Sequence, residues 1–218
     1  MSLPRALLAA FCLAVAVDLA CLVTGLDTGH TAAKPLLMPL LAAHALVSGA
    51  PRLLLAALAL GWVGDLLLLS DADPAFLAGM ASFAGGHVCY LVLFARYGRR
   101  DTPPARTPAL RVAYAAALTV TLALLWPGLP ADLRAPVAGY SLLLTAMAFR
   151  ARRLGPLAAV GGALFLLSDT LIATGVADWP QLPAPDFWIM LTYAAAQALL
   201  VRGVLAAAGT PERRPATV

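Results

Sequence analysis

Apolar blocks of roughly twenty residues follow one another along almost the whole chain, parted by short segments rich in Pro, Gly and Arg. At a rise of 1.5 Å per residue, such a block crosses a hydrocarbon core of ~30 Å as an α-helix. A lipid-facing helix satisfies its own backbone hydrogen bonds, which an open sheet or loop cannot do there. Of 218 residues, 61% are hydrophobic and only 12% charged, with a mean hydropathy of +0.85. A soluble domain is about half apolar and a quarter charged. The expected class is therefore all-α, a polytopic transmembrane helix bundle.

The blocks divide into eight spans: Arg5–Gly25, Lys34–Ser48, Arg52–Ser70, Ala75–Tyr97, Pro108–Trp126, Leu133–Phe149, Pro156–Gly175 and Phe187–Ala207. Span 2 is short and holds Pro35 and Pro39, so seven spans is the alternative count. With a cytoplasmic N-terminus, 13 of the 15 basic residues fall in inside segments, and only Lys34 and Arg134 fall outside. That asymmetry places both termini in the cytoplasm. The same distribution accounts for the net charge of +4 without nucleic acid, because the arginines sit in short loops rather than on one face. Residues 1–208 read as a single integral-membrane domain with a retained first span, and 209–218 as a disordered cytoplasmic tail. The Arg- and Pro-rich stretch Tyr97–Thr107 reads as a cytoplasmic linker. Cys12, Cys21 and Cys89 lie in apolar segments, are odd in number and lack metal spacing, so they read as small buried residues.

Two carboxylates interrupt this pattern at matching places: Asp65 in Gly61-Trp-Val-Gly-Asp65, and Asp169 in Gly161-Gly-Ala-Leu-Phe-Leu-Leu-Ser168-Asp169. An ionised Asp inside a spanning helix costs about 2.5–3.5 kcal/mol on insertion scales. The two are 104 residues and four spans apart, which keeps their orientation and points to a tandem four-helix repeat. Asp18, Asp65 and Asp169 each lie about two-thirds along an outward-running span, in the outer half of the bilayer, and Lys34 opens span 2 at the outer surface.

Span 4 carries Phe76, Gly79, Phe83, His87 and Tyr90 at intervals of 3, 4, 4 and 3, one stripe of a helix. Span 7 aligns Gly161, Phe165, Ser168, Asp169 and Ile172, and span 8 sets Tyr193 and Gln197 one turn apart. These faces predict a polar pocket lined by spans 3, 4, 7 and 8, with Lys34 near its mouth. Helix pairing is the alternative use of each polar group, worth about 0.6–2 kcal/mol per contact. For the Asp65–Asp169 pair function is favoured, Asp18 is balanced between the two, and His30 and His44 read as structural. The glycines at 61, 64, 161 and 162 read as close-packing sites.

Lys34-Pro35 opening a span, Gly64-Asp65, the Phe76-to-Tyr90 stripe, Gly162-Ala-x-Phe165-x2-Ser168-Asp169 and Tyr193-x3-Gln197, in that order across all eight spans, resemble the YhhN-like lysoplasmalogenase family. The resemblance implies a hydrolase that acts on the vinyl-ether bond of lysoplasmalogens. Its products are a fatty aldehyde and a glycerophospho-ethanolamine or -choline. It also implies that Asp65 and Asp169 are catalytic.

The chemistry suits two acids. A vinyl ether hydrolyses by proton transfer to its β-carbon, and water captures the oxocarbenium ion. Removal from water favours the neutral form of a carboxyl group, so a buried acid holds the proton this step needs. A second carboxylate stabilises the cation, as in glycosidases. On this reading His87, Tyr90, Ser168, Tyr193 and Gln197 tune the pair or hold water, and Lys34 meets the substrate phosphate. Replacing either Asp with Asn is expected to abolish aldehyde release. No metal and no cofactor is expected; the partners are a lysophospholipid and the bilayer, and the location is a cell membrane, of the bacterial inner type. Two other functions fit the same residues: a lipid or small-solute transporter relaying protons or cations through the aspartates, and a metal-dependent hydrolase built on His44, His87, Asp65 and Asp169. A non-catalytic scaffold leaves the paired acids without a use.

Overall fold

The computed structural model describes residues 2–70, 72–98 and 107–209, with only the backbone at Thr107. Eight α-helices fill the described residues: α1 Leu3–Thr24, α2 Asp27–Val47, α3 Arg52–Leu67, α4 Asp73–Tyr97, α5 Thr107–Leu125, α6 Arg134–Ala151, α7 Pro156–Val176 and α8 Pro185–Ala208. A single 3-10 turn, Arg152–Leu154, joins α6 to α7. No strand occurs among these residues. Five helices (α1, α4, α5, α7 and α8) are long and apolar enough to cross a membrane. The 16-residue α3 is about 24 Å long and falls short of a full hydrocarbon core, α6 carries Arg134 and Arg150, and α2 carries Asp27, His30 and Lys34. The molecule is a helical membrane bundle. The expected tail at 210–218 and most of the expected linker, 99–106, lie outside the described residues.

Local chemistry sets the helix ends. Pro4, Pro74, Pro156 and Pro185 each occupy a first turn, where the missing N–H is not needed. Gly25 closes α1 in the left-handed conformation at φ 70°. Helix α2 departs from the expected span. It begins at Asp27, seven residues before Lys34, and runs through both internal prolines. Asp27 complements the positive helix N-terminus. Pro39 has no N–H for the carbonyl of Pro35, and the Trp62 indole of α3 donates to that carbonyl instead, at 2.9 Å. A cross-helix bond thus repairs the gap and fixes α2 on α3.

Neighbours in sequence pack side by side: α1 on α2, α2 on α3, α3 on α4, α6 on α7 and α7 on α8. Contacts of α4 with α6 and of α1 with α8 close these seven helices into a ring. Helix α8 is the most buried of the candidate spans and also touches α2, α3 and α4. Helix α5 lies outside the ring, against α6 and α7, with most of its surface exposed. Small residues let the backbones close up, as read from the glycine pairs. A Cβ on Gly162 would stand 2.9 Å from Ala148 Cα, and one on Gly61 3.1 Å from both the Tyr193 hydroxyl and the Gln197 amide nitrogen. Cys12 is exposed and Cys21 and Cys89 half-buried, so the cysteines are not the buried set expected. Their small size suits a lipid-facing position as well as a core.

Candidate functional site

Five of the nine buried polar side chains, Asp65, His87, Ser168, Thr192 and Gln197, lie within α3, α4, α7 and α8. They are not gathered into one pocket. Two separate hydrogen-bond chains form, each ending on an aspartate.

The first chain runs through α4, α8 and α3. Tyr90 donates to Gln197 Oε1 at 2.6 Å, Gln197 Nε2 donates to the Tyr193 hydroxyl at 3.2 Å, and Tyr193 donates to Asp65 Oδ2 at 2.9 Å. Every donor points toward Asp65. All four residues are buried, Tyr90, Gln197 and Asp65 to within 3% of complete. Gly61 makes room for the two polar tips, since a side chain there would press on both.

The second chain runs through α4, α6 and α7. His87 Nε2 lies 3.0 Å from the Tyr140 hydroxyl, and Tyr140 donates to Asp169 Oδ2 in a short hydrogen bond. Tyr140 has one proton and gives it to Asp169, so His87 is the donor in the other bond. That assigns the Nε2–H tautomer and leaves His87 Nδ1 as a bare acceptor, which is buried and has no partner among the described residues. Asp169 Oδ1 makes no hydrogen bond among these residues either, and Asp169 lines a cleft.

The cleft opens between α4, α5, α6 and α7. Its walls are mostly apolar: Phe76, Met80 and Phe83 of α4, Leu118, Leu122 and Leu125 of α5, Leu144 of α6 and Leu166 of α7 are among them. Asp169, Tyr140, Ser141 and Thr145 give it a polar strip, and the Thr145 hydroxyl is buried without a partner. Of the four spans expected to line the pocket, 4 and 7 line this cleft, span 3 adds only Leu68 at its end, and span 8 adds nothing. Those helices contribute the closed Asp65 chain, and the open space lies toward α5 and α6.

Aromatic rings separate the two chains. Phe83 meets Tyr193 at 5.9 Å and Phe165 at 6.5 Å between centroids, Phe165 meets Tyr193 at 5.4 Å, and His87 meets Phe165 at 4.8 Å, all edge to face. Gly64 admits Phe83 to this partition, for a Cβ at 64 would lie 2.6 Å from its ring.

The remaining candidates divide. Lys34 is 8% exposed, well inside α2, rather than snorkelling from its end. No ion pair of Lys34 occurs among the described residues, and its buried ammonium lies on the same side of the bundle as the buried acids Asp18 and Asp65 that its charge reaches. Asp18, buried to 1%, accepts a 2.8 Å bond from His30 Nδ1 and has a second oxygen with no partner. His30, which the sequence left without context, is therefore its hydrogen-bond partner. Ser168 spends its hydroxyl on the Ile189 carbonyl of α8 at 3.0 Å. His44 bonds the Pro4 carbonyl at 2.9 Å, and no three of His, Cys, Asp and Glu converge as metal ligands among the described residues. Sequence reasoning missed Tyr140. The signal was present: Val137, Tyr140, Leu144, Met147 and Ala151 repeat at 3, 4, 3 and 4, and all but the half-buried Tyr140 are buried.

Comparison with known proteins gives the chain a family. Residues 29–204 match the model of the YhhN family. Lysoplasmalogenase TMEM86B of Homo sapiens is 37% identical over 157 residues, 72% of this chain and 65% of the relative. The Sus scrofa protein of that name is 35% identical over 153 residues, 70% of this chain and 62% of the relative. The lysoplasmalogenase of Mycobacterium tuberculosis is 32% identical over 206 residues, 87% of this chain and 77% of the relative. The chain thus spans less than two-thirds of the length of the mammalian relatives. No solved structure matches it. With the family model covering most of its length and its helices, the chain belongs to the YhhN family.

Proposed function

We propose that this protein is a membrane-embedded hydrolase that cleaves the vinyl-ether bond of lysoplasmalogen, with Asp169 as the acid. The observation that carries the reading is that Asp169 lines a mostly apolar cleft, whereas Asp18 and Asp65 do not. The names of the relatives supply the substrate class.

The reaction runs as a balanced sequence. The proton on Asp169 passes to the β-carbon of the vinyl ether, whose π pair forms the new C–H bond, and an oxocarbenium ion results. Water adds to the α-carbon and returns a proton to the Asp169 carboxylate. The hemiacetal then loses its hydroxyl proton as the C–O bond to glycerol breaks and the glycerol oxygen is protonated. One water is consumed, one aldehyde and one glycerophospholipid leave, and Asp169 is regenerated. Asp65 is the second carboxylate, stabilising the cation through the aromatic wall. Its own charge is balanced by Lys34, and Tyr193 holds it in place. Such a field is stronger in a dry bundle than in water. Lys34, assigned from the sequence to the substrate phosphate, is better placed as this counter-charge. His87 belongs with Asp169 through Tyr140, while Tyr90 and Gln197 support Asp65 at a distance. Both termini lie in the cytoplasm, and the membrane is the inner or plasma membrane.

Purified protein in vesicles, given a vinyl-ether lysolipid and separately its ester counterpart, tests the proposal. Aldehyde from the first and no fatty acid from the second is the expected result. Fatty acid release, or accumulation of intact lipid without product, would point to an esterase or to a transporter instead.

A further inference from the structure

We infer that Tyr140, held by His87, is the positioning residue that decides which oxygen of Asp169 carries the reactive proton. The inference rests on the reading of Asp169 as the acid. Three observations support it. Tyr140 donates to Asp169 Oδ2 and to no other group. Asp169 Oδ1 is left without a partner at the cleft wall. His87 is buried to 1%, and its Nδ1 has no partner although its Nε2 faces Tyr140.

The consequence follows from hydrogen-bond polarity. An oxygen that accepts a hydroxyl proton in a fixed bond behaves as the carbonyl oxygen of the acid, so the acidic hydrogen resides on Oδ1, toward the cleft. As that hydrogen moves to carbon, negative charge grows on the carboxyl group and the Tyr140 bond strengthens. An interaction that is stronger in the transition state than in the ground state lowers the barrier. His87 fixes the direction of the chain. Its Nε2–H occupies a lone pair of the Tyr140 oxygen and leaves the hydroxyl hydrogen only Asp169 to meet. The cost is the orphaned Nδ1, a buried acceptor with no partner among the described residues. A packing role alone would be served by an apolar residue without that cost.

Full-length protein in vesicles, assayed with a vinyl-ether lysophosphoethanolamine, separates positioning from structure. Tyr140→Phe is expected to lower kcat about 100-fold with KM unchanged, within the range for a disturbed acid. His87→Phe should lower kcat about 10-fold or more. His87→Gln, whose amide N–H reaches the place of Nε2–H, should stay within about threefold of the parent protein. The infrared carboxyl band of Asp169, recognised as the band lost in Asp169→Asn, should move in Tyr140→Phe and His87→Phe and stay in His87→Gln. A band unmoved by Tyr140→Phe, or a loss of activity confined to KM, overturns the inference. If the parent protein releases no aldehyde while the band does move, the hydrolase reading falls and the hold of Tyr140 on Asp169 stands.

Discussion

Asp65 and Asp169 have the same immediate surroundings and opposite prospects. Each sits on an apolar helix, each accepts a tyrosine hydroxyl at Oδ2, and each ends a directed chain that begins on α4. In the Asp65 chain Tyr90, Gln197 and Tyr193 bond in series to Asp65 Oδ2, its Oδ1 making no hydrogen bond among the described residues, and rings of Phe83 and Phe165 stand between it and the cleft. The Asp169 chain has loose ends among the described residues, at His87 Nδ1 and at Asp169 Oδ1, and it faces the cleft. A satisfied buried network rigidifies a bundle. A network with an unused acid oxygen at a cavity can act on what enters. The difference lies in what stands opposite each carboxylate, not in the carboxylate itself.

This comparison can be broken at several points. Asp169→Asn carries the largest expected effect, a fall in aldehyde release of about 1,000-fold or more with thermal stability unchanged, read by product assay and melting temperature. Asp65→Asn keeps the acceptor for Tyr193 but removes the charge. A loss of about 10- to 100-fold is expected, about 1.4 kcal/mol of transition-state stabilisation per factor of ten. Gly64→Ala drives Phe83 from its place, since the new methyl would overlap the ring. It should raise KM several-fold by narrowing the cleft while sparing the chemistry of Asp169. Gln197→Leu strands the hydroxyl of Tyr90 and removes the donor to Tyr193. It is expected to destabilise the bundle by about 2 kcal/mol in a denaturation titration, with a smaller effect on kcat. Thr145→Val replaces a buried hydroxyl that has no partner, and a gain of about 1 kcal/mol in the same titration is expected.

Much of this molecule could be read before its structure. Hydrophobic block length defined eight helices, and the two acids stood out because lipid solvates charge so poorly. The α4 stripe correctly marked one inward face, because helical periodicity projects burial directly onto sequence. What that face does could not be read. Phe76 and Phe83 line the cleft, His87 serves Asp169, and Tyr90 serves Asp65, a division set by which helices pack opposite. Tyr140 escaped notice because a tyrosine in an apolar helix is unremarkable until its hydroxyl has an address. The extent of α2 was misjudged for a related reason. Pro35 and Pro39, inside the expected span Lys34–Ser48, point to a short or kinked crossing, and only the Trp62 indole on another helix shows how the freed carbonyl is satisfied. Likewise His30 had no context until α1 brought Asp18 within 2.8 Å.

Chemical rescue tests the central claim most directly. Asp169→Gly and Asp65→Gly would each be assayed for aldehyde release from a vinyl-ether lysolipid, with and without formate. Asp169 faces the cleft, so a small carboxylic acid can enter the vacated space, and formate should restore a measurable part of the lost rate. Asp65 lies behind the aromatic wall, and formate should do nothing for its variant. Rescue at position 65 without rescue at 169, or undiminished activity in Asp169→Gly, would contradict the assignment.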